Sequence, residues 1–101
     1  NALFVYASLI DDDIIKNRKI VGTGTIDEDG NVGAIGGVKY KLKAALNSKA
    51  DVFFVPDDNC LEAKNIKEEK KYDLNIVCIR NFDDAILYLN KWGVNLWMEK
   101  N

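Results

Sequence analysis

The sequence predicts an α+β domain in which a β-hairpin precedes a parallel strand–helix–strand–helix unit. Three observations predict it. A stretch rich in β-branched residues, Ile20–Ile26, runs straight into the turn-forming string Asp27-Glu28-Asp29-Gly30-Asn31. A short, continuous apolar run at residues 52–55 and a mainly apolar stretch at 74–79 have the length of strands buried on both faces. Segments with helical apolar spacing alternate with those runs, and that alternation predicts parallel strands joined by right-handed crossovers.

Taken in order, residues 3–10 are apolar on most sides and are read as a buried helix. Asp11-Asp12-Asp13 ends it, and Lys16-Asn17-Arg18-Lys19 is a polar connector. The hairpin follows, with Val32 opening its second strand. Gly33-Ala34-Ile35-Gly36-Gly37 is a tight lead into a helix over about 38–48, where Val38, Leu42, Ala45 and Leu46 share one face. The strand at 52–55 is stopped by Pro56. Asp57 or Asp58 is placed to cap a short helix through about residue 66, and the charged residues 67–73 read as a loop. After the strand at 74–79, Asn81 caps a last helix with Asp84 in its first turn and Phe82, Ala85, Ile86 and Leu89 on its apolar side. No internal repeat and no interdomain linker interrupts residues 1–101, which read as one domain.

Composition narrows the function. A chain of 101 residues that is 48% hydrophobic and 30% charged folds as one small domain burying ~60–65% of its unfolded surface. The formal net charge of −2 lacks the basic excess of a phosphate-tracking surface, so no nucleic-acid partner is expected. There is no histidine, which removes His-based triads and His-ligated metals from this chain. Cys60 and Cys78 are too few for a zinc knuckle or a disulfide scaffold. Cys78, inside Ile76-Val77-Cys78-Ile79, reads as a buried thiol, although Cys60 could pair with it. No segment has the ~18–20 apolar residues of a membrane span, and no signal peptide is recognisable. The chain starts without Met inside an apolar run, and is read as a piece of a longer protein.

Several motifs give way to plainer readings. Gly22-Thr23-Gly24 lacks the third glycine of a dinucleotide fingerprint, and no Gly-Lys-Ser/Thr follows Gly37, so neither nucleotide nor other cofactor is expected. In residues 27–38 the glycine stands fourth rather than sixth and Val38 stands twelfth, so a hairpin turn explains them better than a calcium loop. Lys39, Lys41 and Lys43 crowd the start of the helix, and a solvated basic face is the plain reading. Spacing singles out Lys41, whose neighbours three and four residues on are the small Ala44 and Ala45. A lysine so flanked can be partly buried. Burial disfavours the ammonium form and makes a neutral amine available as a general base.

The stretch from Gly22 to Lys41, with Gly36-Gly37-Val38-Lys39-Tyr40-Lys41-Leu42-Lys43-Ala44-Ala45 at its core and Phe53-Phe54-Val55-Pro56 and Asp58-Asn59 behind it, resembles the proteolytic domain of Lon-type serine proteases. The resemblance covers about residues 3–92 and is nearest to the membrane-anchored bacterial branch that joins a PDZ domain to a Lon domain. It implies a two-layer α/β fold shared with a domain of a small-subunit ribosomal protein, and a serine endopeptidase acting through a Ser–Lys dyad on protein or peptide substrates. Matching the motif puts the lysine at Lys41 and sets Thr23 beside the dyad, as a hydrogen-bonding partner of that lysine.

The family's serine lies in a Pro-Ser-Ala-Gly stretch directly before the helix matched by residues 3–10, which places it off the start of this chain. Ser8, inside that run, does not match. The chain taken alone is expected to hold half a dyad and be inactive. Ala34 replaces the proline usual before Ile-Gly-Gly. The PDZ-linked branch implies an extracytoplasmic position with an anchor outside this chain; the cytoplasmic ATP-driven branch is the alternative. The apolar tail at 94–98 could pack on the domain or contact a neighbouring subunit of a homo-oligomer. Two competing readings are a Lon-like domain kept for binding or assembly without catalysis, and an unrelated α/β binding module.

Overall fold

A computed structural model describes the backbone of residues 2–5 and 19–100 and the side chains of residues 19–91. Five strands form one mixed sheet: β1 (Ala2–Val5), β2 (Ile20–Ile26), β3 (Val32–Gly33), β4 (Val52–Pro56) and β5 (Ile76–Ile79). Three helices lie among the described residues: α1 (Val38–Asn47), α2 (Cys60–Lys70) and α3 (Phe82–Lys100). The strand order is β1-β2-β4-β5, with β3 paired to the far end of β2. β2, β4 and β5 run parallel, as the strand–helix alternation requires, while β1 and β3 run antiparallel to β2.

All five residues of β4 are buried, because the strand is central and helices cover both of its faces. Phe53 and Val55 join Val21 and Ile76 beneath α1 and α2, where Val38, Leu42, Ala45 and Ala63 meet them. Phe54 and Val52 join Ile20 and Ile79 on the opposite face, beneath Ala85 and Leu89 of α3. The ring of Tyr88 stands edge-on to Phe54, with centroids 5.8 Å apart. The expected mixed α/β arrangement is present, and α3 adds a covering to the second face of the sheet.

Several boundaries differ from the sequence reading. Residues 3–5, expected in a helix, belong to β1 and pair with β2 from Leu3↔Thr23 to Val5↔Val21. A short apolar run carries no periodicity that separates a buried helix from a strand. Residues 6–10 of that expected helix, the connector before Lys19, and Ser8 lie outside the described residues. Pro56 continues β4 instead of stopping it, paired with Ile79. The pairing of β2 with β4 ends at Gly22↔Phe54, so no ladder bond from β2 is asked of the proline nitrogen.

Neither Asp57 nor Asp58 caps a helix through its side chain. They form a 3₁₀ turn with Asn59, and α2 then runs through the expected loop to Lys70, because 67–70 are good helix formers. Lys71, at φ 55°, ends it in a left-handed cap. Leu74 is buried but precedes β5, which starts at Ile76. Cys78 is not a free thiol: it is disulfide-bonded to Cys60, with Cα atoms 5.6 Å apart, tying the start of α2 to β5. Their 18-residue separation hid a pairing made when α2 packs on the sheet. Residues 94–98 are helical within α3; what their side chains touch lies outside the described residues.

The hairpin turn forms as its composition predicts. Asp27 Oδ1 accepts from the amides of Asp29 and Asn31, both at 2.9 Å, and Gly30 takes φ 84°. The Val32 amide donates to the Arg80 carbonyl and the Phe82 amide to the Gly30 carbonyl, both at 2.9 Å, so the hairpin is fastened to the end of β5. Asn81 caps α3 as expected, its Oδ1 accepting from the Asp84 amide at 2.9 Å.

Gly24 is where β2, β3 and β4 crowd together. It sits at φ 148°, and a Cβ there would come within 2.8 Å of Val32 Cγ1 and 3.2 Å of Pro56 Cγ. Gly24→Ala is expected to destabilise the fold by about 1–3 kcal/mol, read from urea unfolding; an unchanged midpoint would contradict this packing. Asp84 gives a pH test. Its carboxylate accepts from the Arg80 amide and then from the Arg80 guanidinium, and both hold it below its ordinary 3.8. A depressed acid stabilises the fold above its unfolded-state value and loses that contribution as pH falls through the folded one. Asp84→Asn is therefore expected to lower stability at pH 7, by less than about 1 kcal/mol for so exposed a pair. The difference should close below about pH 4, and a gap that stays constant down to pH 2 would contradict the assignment.

Candidate active site

Two glycines turn the chain from β3 into α1. Gly37 takes the left-handed conformation at φ 66°, which an L side chain adopts at a cost, and its carbonyl accepts from the amides of Tyr40 and Lys41 at 3.1 Å. No side chain caps the N-terminus of α1. The direction in which the helix leaves the sheet is thus set by this turn and by burial of Val38, Leu42 and Ala45.

Lys41 falls between Val38 and Ala45 on the edge of that buried stripe. Of the three clustered lysines it alone is half-buried; Lys39 and Lys43 are exposed. Ala45, expected to pack beside its stem, is fully buried, while Ala44 faces solvent. Thr23 lies two residues along β2 from Val21, hence on the sheet face that α1 covers. Its side chain is fully buried, and Oγ1 has no hydrogen-bond partner among the described residues. A buried hydroxyl left unpaired costs about 1–3 kcal/mol. Thr23 and Lys41 thus stand on one side of the sheet, a buried polar atom without a partner among the described residues and a lysine at the edge of the same core.

A third residue was not foreseen as part of this region. Asn59 occupies the N-cap position of α2 but makes no cap bond there. Its Oδ1 accepts from the Ile35 amide at 2.9 Å and its Nδ2 donates to the Ile35 carbonyl at 3.0 Å. An Asn after two Asp residues and before a helix reads locally as a cap. Nothing in the local pattern announces a bond 24 residues away.

A family model decides what this arrangement belongs to: that of the Lon protease (S16) C-terminal proteolytic domain matches residues 3–90. The chain belongs to this family. Among its relatives, the Lon protease of Aster yellows witches'-broom phytoplasma (strain AYWB) is 42% identical over 63 residues, 62% of this chain and 8% of that protein. The Lon protease of Rickettsia typhi is 34% identical over 70 residues, 69% of this chain and 9% of that protein. That of Clostridium beijerinckii is 29% identical over 85 residues, 84% of this chain and 11% of that protein. The chain therefore spans about a tenth of the length of the curated relatives it matches. No solved structure matches it at a comparable level of significance.

Within this Lon proteolytic domain the orphaned Thr23 hydroxyl has a measurable consequence. In residues 1–101 taken alone, Thr23→Val removes the polar atom and keeps the side-chain shape, so it is expected to leave the fold unharmed or to stabilise it by about 1 kcal/mol, measured by urea unfolding. A loss of 2 kcal/mol or more would mean that the hydroxyl is bonded in the folded protein.

Proposed function

We propose that this chain supplies the lysine half of a Ser–Lys endopeptidase site, with Lys41 as the base, Thr23 as its hydrogen-bonding partner and the serine outside residues 1–101. What carries the reading is the buried Thr23 hydroxyl, unpartnered among the described residues, on the sheet face covered by α1, the helix that bears the half-buried Lys41. The Lys41 amine takes the proton of the serine hydroxyl as its oxygen attacks the scissile carbonyl carbon. The resulting ammonium returns that proton to the leaving amine, and an acyl-enzyme ester remains. Lys41 then deprotonates a water that attacks the ester, and the proton goes back to the serine. With the serine in place, Thr23 Oγ1 accepts from Lys41, a bond not made among the described residues of this chain, and holds Nζ toward the serine through these steps.

The reading extends to protein or peptide substrates and to an extracytoplasmic position. The Cys60–Cys78 disulfide supports the latter, since such bonds persist in oxidising compartments. Any membrane attachment would come from sequence outside this chain.

The test is endopeptidase activity of the longer protein on an unfolded protein substrate. Lys41→Ala is expected to lower kcat by about 10³-fold or more, as loss of a proton-transfer group does. Lys43→Ala, at an exposed position, should stay within about twofold. Equal losses in the two variants would remove Lys41 from the role. No activity in the parent, with the fold intact, would favour a binding or assembly module.

A further inference from the structure

We infer that Asn59 is a positioning residue for the Lys41 base, holding the glycine hinge that aims α1. The inference rests on the Ser–Lys reading above. Asn59 is 8% exposed, and both faces of its amide are committed to the backbone of one residue, Ile35. Such a pair of bonds fixes the position of that peptide and also its rotation. Ile35 is itself buried in the core shared with Val38 and Leu42. Only Gly36 and Gly37 separate it from α1. A Cβ at Gly36 would touch nothing within 4 Å, so packing does not hold the hinge. The clamp on one side and the Val38–Leu42 contact on the other are what define its course.

The clamp has a rigid base. Asn59 closes the 3₁₀ turn that follows Pro56 of β4, and the next residue, Cys60, is bonded to Cys78 of β5. The Asn59 amide thus refers the hinge to the interior strand β4 and, through the disulfide, to its neighbour β5. By not capping α2, Asn59 forgoes the bond usual at that position. Displacing a reacting group by about 1 Å can cost 10²-fold in rate, so a hinge free to swing matters to Lys41 more than to the fold.

The experiment compares Asn59→Asp, which keeps an acceptor for the Ile35 amide and loses the donor, with the isosteric Asn59→Leu, which loses both. It uses the full-length protein that carries this chain and a peptide substrate. The expected result is a kcat lowered about 10-fold or more in Asn59→Asp and further in Asn59→Leu, with KM within about twofold. Amide exchange should rise from Gly36 to Lys41 and stay unchanged in β4. Asn81→Ala, which removes the α3 cap, serves as the stability control and should leave kcat unchanged. If Asn59→Leu fails to fold, Asn59→Asp decides alone. A kcat within twofold of the parent in Asn59→Asp, while Lys41→Ala is inactive, overturns the positioning role and leaves the dyad standing. An active Lys41→Ala variant overturns both.

Discussion

The double burial of β4 is the constraint on which the rest of this domain depends. Adjacent Phe53 and Phe54 point to opposite faces of the sheet and are both fully buried. Removing each from water contributes roughly 1.5–3 kcal/mol, and neither can be buried without a covering layer. α1 and α2 cover Phe53, and α3 covers Phe54. The parallel pairing with β2 and β5 follows, because each strand-to-strand connection must carry a helix across a face. Every feature of the candidate site is fixed with reference to this strand: Thr23 on its neighbour β2, the Gly24–Pro56 contact at its end, and Asn59 in the turn directly after it.

The site region combines a rigid sheet with a deliberately loose junction. Gly36 and Gly37 allow the abrupt change from β3 to α1, and that freedom must be removed again if Lys41 is to hold one direction. Burial of Val38 and Leu42 does this from the helix side, and the Ile35 clamp does it from the strand side. Thr23 shows the opposite allocation. Its buried hydroxyl makes no hydrogen bond among the described residues, so the fold gains nothing from that polar atom there.

Much of this was legible in the sequence. The hairpin was readable from Asp27 to Asn31 because turn chemistry is local, and β4 because an apolar run stopped by turn residues has few alternatives. The buried face of α1 followed from spacing alone. Lys41 stood apart from Lys39 and Lys43 by the same spacing, and it is the one of the three that is half-buried. What could not be read depends on distant partners. Residues 3–5 gain strand character only from pairing with β2, Cys60 meets Cys78 only once α2 is laid on the sheet, and Asn59 finds its partner only when Ile35 arrives beside it. The extension of α2 to Lys70 was missed for another reason: a charged run reads as loop or helix with equal ease when its apolar stripe is as thin as Ala63 and Ile66.

The most direct test is a crystal structure of a protein that joins the proposed serine segment to this chain. The account predicts Lys41 Nζ within about 3 Å of Thr23 Oγ1, with the serine hydroxyl at hydrogen-bonding distance on the other side of the amine. A well-ordered Lys41 directed into solvent, with the Thr23 hydroxyl still unpaired or bonded elsewhere, would contradict it.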